Sequence, residues 1–426
     1  MKKLMVPLLA ILVCLGFLPQ MVFAGGIDNK QNFSARYLAT GSRNAAIDGA
    51  DVAAYNPAGL MQQKDGFAIE LDAQYLFKVY ENRYTSENDG HVMKDQDLGS
   101  AVPAFFATYK QGNWGLFGAF TINGGGGAVD YESGNAVTDA IERTAGAIGL
   151  LDNEWLEADS YYLTFTTGPT FAFLDMFSVA LGGRYIMAEK SIDAYALVNG
   201  GAWNGLPLVA AYEEEATGYG WVVSLDFKPM DNLLIALRYE SEVELEFETD
   251  LDGKNTAIGN TTLGGLGKTE GGKYNRDLPA LLGVGIAFKP MDKLTLDSSL
   301  TYYFEEQADL ENHTSKNLDN SYDAGISATY AITDAFRVSL GYMYTDVGID
   351  PDDYGLVEKI SPVLDAHSCF FGMGYDFNAH ATIEFGAMLN VYDQGDDATT
   401  TSATTTRNIE YSKYNTGLAL GFIYKF

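Results

Sequence analysis

The sequence predicts an all-β protein: a fourteen-stranded antiparallel transmembrane β-barrel plugged by a small N-terminal hatch. Period-two alternation of apolar and polar residues begins at Phe67 and recurs to the last residue, Phe426. Tight turns built on Pro, Asp, Asn and Gly alternate with long polar connections. A polar, small-residue stretch from Gly25 to Lys64, without strand rhythm, precedes the first strand.

The first strand shows the rule. Phe67, Ile69, Leu71, Ala73, Tyr75, Phe77 and Val79 fall on one face, and Glu70, Asp72, Gln74 and Lys78 on the other. Successive strand residues point to opposite sides, so this segment has one apolar and one polar face. Trp221 to Phe227, Phe336 to Tyr344 and Ile383 to Leu389 repeat the pattern. Short turns are expected around Gln111–Trp114, Leu174–Phe177, Phe227–Leu233, Phe288–Leu294, Thr333–Phe336 and Asn378–Ala381. Their residues favour turns for backbone reasons. Between the hairpins lie long polar connections, about 81–100, 123–159, 191–211, 249–276, 306–318, 346–365 and 393–408. Strands then fall near 67–80, 101–110, 114–122, 160–173, 177–190, 212–228, 232–248, 277–289, 293–305, 320–331, 335–345, 366–377, 381–392 and 409–426. Short turns on one rim and long loops on the other, with an even strand count, is the layout of outer-membrane barrels.

Targeting agrees. Lys2 and Lys3, the apolar run Leu4 to Phe17 and the small-x-small site Val22-Phe23-Ala24 read as a secretory signal over residues 1–24. The apolar run is shorter than the ~20 residues a spanning helix needs. Removing the signal leaves Cys369 alone, so no intramolecular disulfide can form. With 27 Lys and Arg against 57 Asp and Glu, the net charge of −30 excludes nucleic-acid binding. The closing strand carries Leu418, Leu420, Phe422 and Tyr424 on one face and ends on Phe426, as do chains received by the barrel-assembly machinery.

The stretch before the barrel holds Gly41-Ser42-Arg43-Asn44-Ala45-Ala46, then Asp48 and Asp51, then Ala54-Tyr55-Asn56-Pro57-Ala58-Gly59-Leu60. Set between a signal and a barrel, this run resembles the hatch of the FadL/TodX family of outer-membrane transporters for hydrophobic compounds. The resemblance implies a hatch at 25–65, gated about Asn56, Pro57, Ala58 and Gly59, inside a barrel at 66–426. It implies passive inward movement of a hydrophobic small molecule, with long-chain fatty acids first and neutral hydrocarbons or aromatics second. A structural or adhesive barrel and a general porin are the competing classes. The implied partners are outer-membrane lipid, lipopolysaccharide and the assembly machinery, the chain acting as a monomer without a cofactor. In the family, substrate is captured among extracellular loops and leaves sideways where the third strand kinks inward. Here the third strand runs into Gly124, Gly125, Gly126 and Gly127, and glycine-rich strand ends permit bulges. A flexible loop start is the competing reading. From Ala136 to Leu151, Val137, Ile141 and Ile148 recur at helical spacing, as a capture helix or as simple packing on the mouth.

Arg184, Arg238 and Arg337 have lumen parity on strands whose other face is apolar. A buried arginine must be paired or serve a ligand. Hatch Asp48 or Asp51, a wall carboxylate, or a substrate carboxylate are the three candidates. Glu240, Glu242, Glu244, Glu246 and Glu248 are expected on one face of the seventh strand, as a solvated extension or a divalent-cation site. His91, His313, His367 and His380 are scattered. His367 and Ser368 are strand neighbours and point to opposite faces, so they make no base–nucleophile pair. No enzymatic activity and no metal site is expected.

Overall fold

In lipid every backbone polar group must be satisfied within the protein, so a spanning sheet has to close on itself. The computed structural model describes residues 29–426 apart from 86–91, 98, 125–126, 139–149, 175, 201–202, 311–317, 395–396 and 402–405. Its wall consists of β1 (Gly66–Tyr84), β2 (Gly99–Gln111), β3 (Trp114–Gly124), β4 (Leu150–Phe173), β5 (Phe177–Asn199), β6 (Pro207–Met230) and β7, which is split into Leu233–Glu240 and Glu246–Leu251. The second half is β8 (Leu281–Met291), β9 (Leu294–Tyr303), β10 (Ser321–Ala331), β11 (Phe336–Asp346), β12 (Ala366–Asp376), β13 (Ala381–Tyr392) and β14 (Thr406–Lys425). Each pairs antiparallel with its sequence neighbour, and β1 pairs β14 from Ala68–Lys425 to Tyr84–Ile409. This is the predicted closed barrel of fourteen strands. Phe426 ends the seam, its N–H donating to the Phe67 carbonyl at 2.9 Å and its ring 5.4 Å from that of Phe67.

The repeated Phe-Lys-Pro-Met segments have a shared physical outcome. The ladder shifts between Phe227 and Met230 in β6, and again between Phe288 and Met291 in β8. Proline has no N–H to give, so the regular ladder cannot run through it. The turns themselves shrink to Asp231-Asn232 and Asp292-Lys293.

Strands on the loop side run further than expected. The predicted connection 123–159 already contains β4 from Leu150, and 191–211 contracts to the few residues between β5 and β6. Of the expected helix over 136–151, residues 136–138 are helical and Leu150–Leu151 are strand. Sheet pairing continues beyond the bilayer because outward positions turn polar there: β6 carries Trp221 and Tyr219 outward, then Glu215 and Glu213.

The seventh strand corrects the expectation of one face for five glutamates. In β7, Leu234, Ala236, Arg238 and Glu240 are buried, but beyond it Val243, Leu245 and Phe247 are. Val222 pairs Glu240 whereas Glu215 pairs Glu248, a slip of one residue across the break at 241–245. One extra residue reverses the facing of everything after it. Glu240 therefore points into the lumen, and Glu244, Glu246 and Glu248 point out.

Inside the barrel lies the N-terminal segment. It forms α1 (Ala35–Thr40), α2 (Val52–Tyr55) and a 3₁₀ turn (Pro57–Gln62), nearly all buried. The first turns of such helices leave N–H groups unpaired. Asp72 of β1 accepts from Ala35 N–H at 2.7 Å, and Glu70 accepts from Ala50 and Asp51 N–H at 2.6 and 2.9 Å. The wall thus supplies acceptors that these short helices lack.

Candidate functional site

The Asn-Pro-Ala-Gly turn is held on every side. Asn56 donates to the Ala46 carbonyl at 3.0 Å and accepts from Ser224 of β6 at 2.8 Å. Thr170 and Ser178 hydroxyls donate to the Pro57 and Ala58 carbonyls at 2.9 and 3.0 Å. A side chain on Gly59 would collide with the Ala46 carbonyl. These four residues therefore bind the segment to β4, β5 and β6. Outside the bilayer, on the short-turn rim, Asp65 bonds Lys110 Nζ at 2.6 Å and Gly112 N–H at 2.9 Å. The lysine hydrogen bond holds the Asp65 carboxyl below its ordinary pKa.

Above this turn the wall is interrupted. β2 follows β1 from Gly99 to Lys110, and β3 follows β4 as far as Gly124. Between β2 and β3, however, the ladder ends at Phe105–Phe120. Alternation also ends there, since Thr121, Ile122, Asn123 and Gly124 are all buried. The third strand has bent inward, with a register shift between Ile122 and Gly124. Gly127 rejoins β4 through its N–H to Ser160, in the left-handed region at φ 74°. Gly125 and Gly126 lie outside the described residues. The gap closes above, where Gln96 N–H meets the Asp130 carbonyl at 2.7 Å. Ser100 to Ala104 thus face Thr121 to Gly124 without a ladder, and Pro103, which has no N–H to leave unpaired, stands in that stretch. The N-terminal segment reaches this bend, for Lys30 N–H donates to the Asn123 carbonyl at 2.6 Å.

The three arginines are met by wall carboxylates. Arg184 approaches Glu240 at 2.9 Å without hydrogen-bond alignment, and Arg238 lies 3.5 Å from it. Arg238 also donates to Gln31 at 2.5 Å and to the Ala54 carbonyl. Arg337 pairs with Asp376 at 3.1 Å and with Glu384. Asp48 and Asp51 instead serve Arg36 and Arg43 within the N-terminal segment. Among the described residues, a different basic side chain is left without a carboxylate in ion-pair distance. Lys413 of β14 is buried, lies 5.0 Å from the ring centres of Tyr80 and Tyr392, and donates only to the Pro362 carbonyl. Lys78 of β1 is paired with Asp95 at 2.8 Å. The inward parity that singles out the arginines also selects Lys413, five residues before the apolar closing pattern opens at Leu418.

The mouth is lined by loops. Val137 is buried with Tyr80, Tyr131, Leu156 and Ile360. Ile141 and Ile148 lie outside the described residues. A short helix, Leu356–Ile360, is fixed over the lumen by the buried pair Arg276–Glu358 at 2.8 Å. His367 faces outward beside Tyr342 and Tyr344 while Ser368 is buried, on opposite faces as expected. His91 and His313 lie outside the described residues. Among the described residues no cluster of His, Cys, Asp or Glu has metal-binding geometry.

Comparison with solved structures gives the same architecture. A Pseudomonas aeruginosa FadL homologue superposes with a TM-score of 0.69 at 14% identity, covering 94% of this chain and all of that one. The Pseudomonas putida toluene transporter TodX gives 0.63 at 13% identity, covering 94% and 100%. The Ralstonia pickettii toluene transporter TbuX gives 0.60 at 14%, covering 89% and 94%. No curated protein sequence matches the chain. At such identities the likeness is one of fold. Residues 16–426 match the family described as outer membrane protein transport protein (OMPP1/FadL/TodX), and that span, nearly the whole length, makes the chain a member of this outer-membrane family of channels for hydrophobic compounds.

Proposed function

We propose that residues 25–65 act as a hatch, gated at Asn56-Pro57-Ala58-Gly59, and that hydrophobic molecules leave the lumen sideways at the Gly124–Gly127 kink. The observation that supports this route is the ladder ending at Phe105–Phe120 above a segment that fills the barrel. A molecule passing from lumen to lipid avoids re-exposure to water, worth roughly 0.8 kcal/mol per CH₂. A downward exit forfeits that for each methylene. The test is to place cysteines at Ala104 and Thr121, with Cys369→Ser, and bridge them with a short bis-maleimide. Uptake of a hydrophobic probe falls at least tenfold when the bridge forms; unchanged uptake sinks the lateral route.

Long-chain fatty acids are the first substrate reading, and Lys413 supports it. Burial without a carboxylate disfavours the charged form of this amine, and an arriving carboxylic acid supplies both the proton and the partner charge. The neutral-hydrocarbon reading draws on the arginines, whose charges are already met within the protein. Binding of laurate and dodecane to the purified protein, with wild type and Lys413→Met, decides between them. The acid reading requires laurate to lose about tenfold in affinity with dodecane unchanged. Equal binding of both by wild type, untouched by the substitution, transfers the assignment to neutral compounds.

A further inference from the structure

The break in β7 is a second interruption of the wall, away from both the N-terminal segment's turn and the third-strand bend. On the seventh-strand side of β6 the ladder stops between Trp221, which exchanges bonds of 2.9 Å with Ser241, and Glu215, which pairs Glu248. The edge from Thr217 to Tyr219 therefore runs unladdered. The missing stretch of β7 has moved onto the lumenal face of β6. A Cβ placed on Gly218 would lie 2.5 Å from both Val243 Cγ1 and the Glu244 carbonyl, and one on Gly220 would lie 2.7 Å from Val243 Cγ2. The displaced strand keeps its bonds to the next one, Val243 and Leu278 exchanging N–H···O contacts of 3.0 and 2.9 Å. At this slot the barrel wall is one strand with two missing side chains, backed by Val243.

Three further facts give the slot a direction. On the lipid side Tyr219 is 78% exposed and Trp221 is 47% exposed, in the aromatic belt where bilayer meets water. On the lumen side, Tyr162, Ile186, Ala188, Ala216, Val243 and Leu278 form one buried apolar cluster. That cluster ends at the third-strand bend, because Tyr162 pairs Gly124, and the lumen-facing row Gly124, Tyr162, Ala188, Ala216 joins the bend to the edge of the second break strand by strand. From its periplasmic turn β6 runs farther than β3 before breaking, which sets the second slot roughly 10 Å nearer the outer surface.

We propose that the slot between β6 and β7 is a second lateral portal. It admits hydrophobic molecules already dissolved in the outer leaflet, and Val243 seated on Gly218 and Gly220 is its closed bolt. Molecules entering there cross the apolar inner face of β4 to β6 and reach the third-strand gap without visiting the loops. This rests on the lateral-exit reading above, and the experiment separates the two. Gly218→Cys with Val243→Cys, in a Cys369→Ser background, closes the bolt by disulfide; Gly218→Val wedges it away. The barrel fold is confirmed by the mobility shift between boiled and unboiled samples. The readout is naphthalene uptake in proteoliposomes, with the probe supplied either in the lipid or in water. The disulfide should cut uptake from lipid at least fivefold, reversibly with dithiothreitol, and leave uptake from water within twofold. Gly218→Val should raise uptake from lipid about threefold. If the bridge across Ala104 and Thr121 stops uptake while neither Gly218 variant changes it, the portal is refuted and the lateral exit stands. If no cross-link alters uptake, both are refuted.

Discussion

At Asn56 one amide joins two supports of the N-terminal segment, a carbonyl of its own chain stretch and a serine of the wall. Each bond is worth about 1 kcal/mol net, and a buried partner left unpaired costs about 1–3 kcal/mol. Asn56→Ala with Pro57→Ala is expected to leave assembly intact, read by unboiled gel mobility, and to lower uptake severalfold. Normal uptake by the double variant would reduce the turn to a connector. The turn is plain in the sequence, because Asn-Pro-Ala-Gly has few backbone options. Its partners Ser224, Thr170 and Ser178 are not, since hydroxyls on lumen-facing strand positions look alike until the segment is docked among them. Lys413 was hidden for the same reason: parity says a lysine points inward, but only the assembled wall shows which carboxylates reach it.

Strands reveal a rule that composition alone obscures. Along the seventh strand apolar residues keep odd numbers from Leu237 to Phe247, so the sequence reads as one unbroken ribbon. In lipid the apolar side must face out; above the bilayer, where water is outside, it must face in. β6 makes the change by switching residue type at fixed parity, and β7 makes it by adding one residue. A period-two search sees no difference between a strand that continues and one that steps over. Strand existence was therefore legible while the break was not, and the loop-side extensions of β4 and β5 were missed because their outward faces are as polar as loops. The helices of the N-terminal segment depend on elements far away in sequence. Glu70→Leu removes the acceptor for two N–H groups at the start of α2 and should weaken closure by a few kcal/mol. In planar bilayers the wild type should be nearly silent and Glu70→Leu should show frequent openings. A variant as quiet as the wild type would mean the N-terminal segment is held without that carboxylate.

For the whole molecule, closure is one seam. β1 and β14 share seventeen residue pairs ending beside Phe426, whose ring packs on Phe67. Deleting Phe426 removes the final backbone bond and that contact, and should cut the folded, heat-modifiable fraction severalfold. Unchanged insertion of the shortened chain would show that the seam alone suffices. The seam also sets a chronology. Asp72 and Glu70 become acceptors for the N-terminal segment only once β1 stands in a wall, and Glu384, which holds Arg36, arrives with β13. Residues 29–63 precede all of these strands in the chain, yet can settle only after nearly all of them are in place. The N-terminal segment is therefore expected to stay unstructured until the wall is nearly complete, and its Asn, Ser, Arg and Asp residues suit it to water while it waits to become the interior of something not yet built.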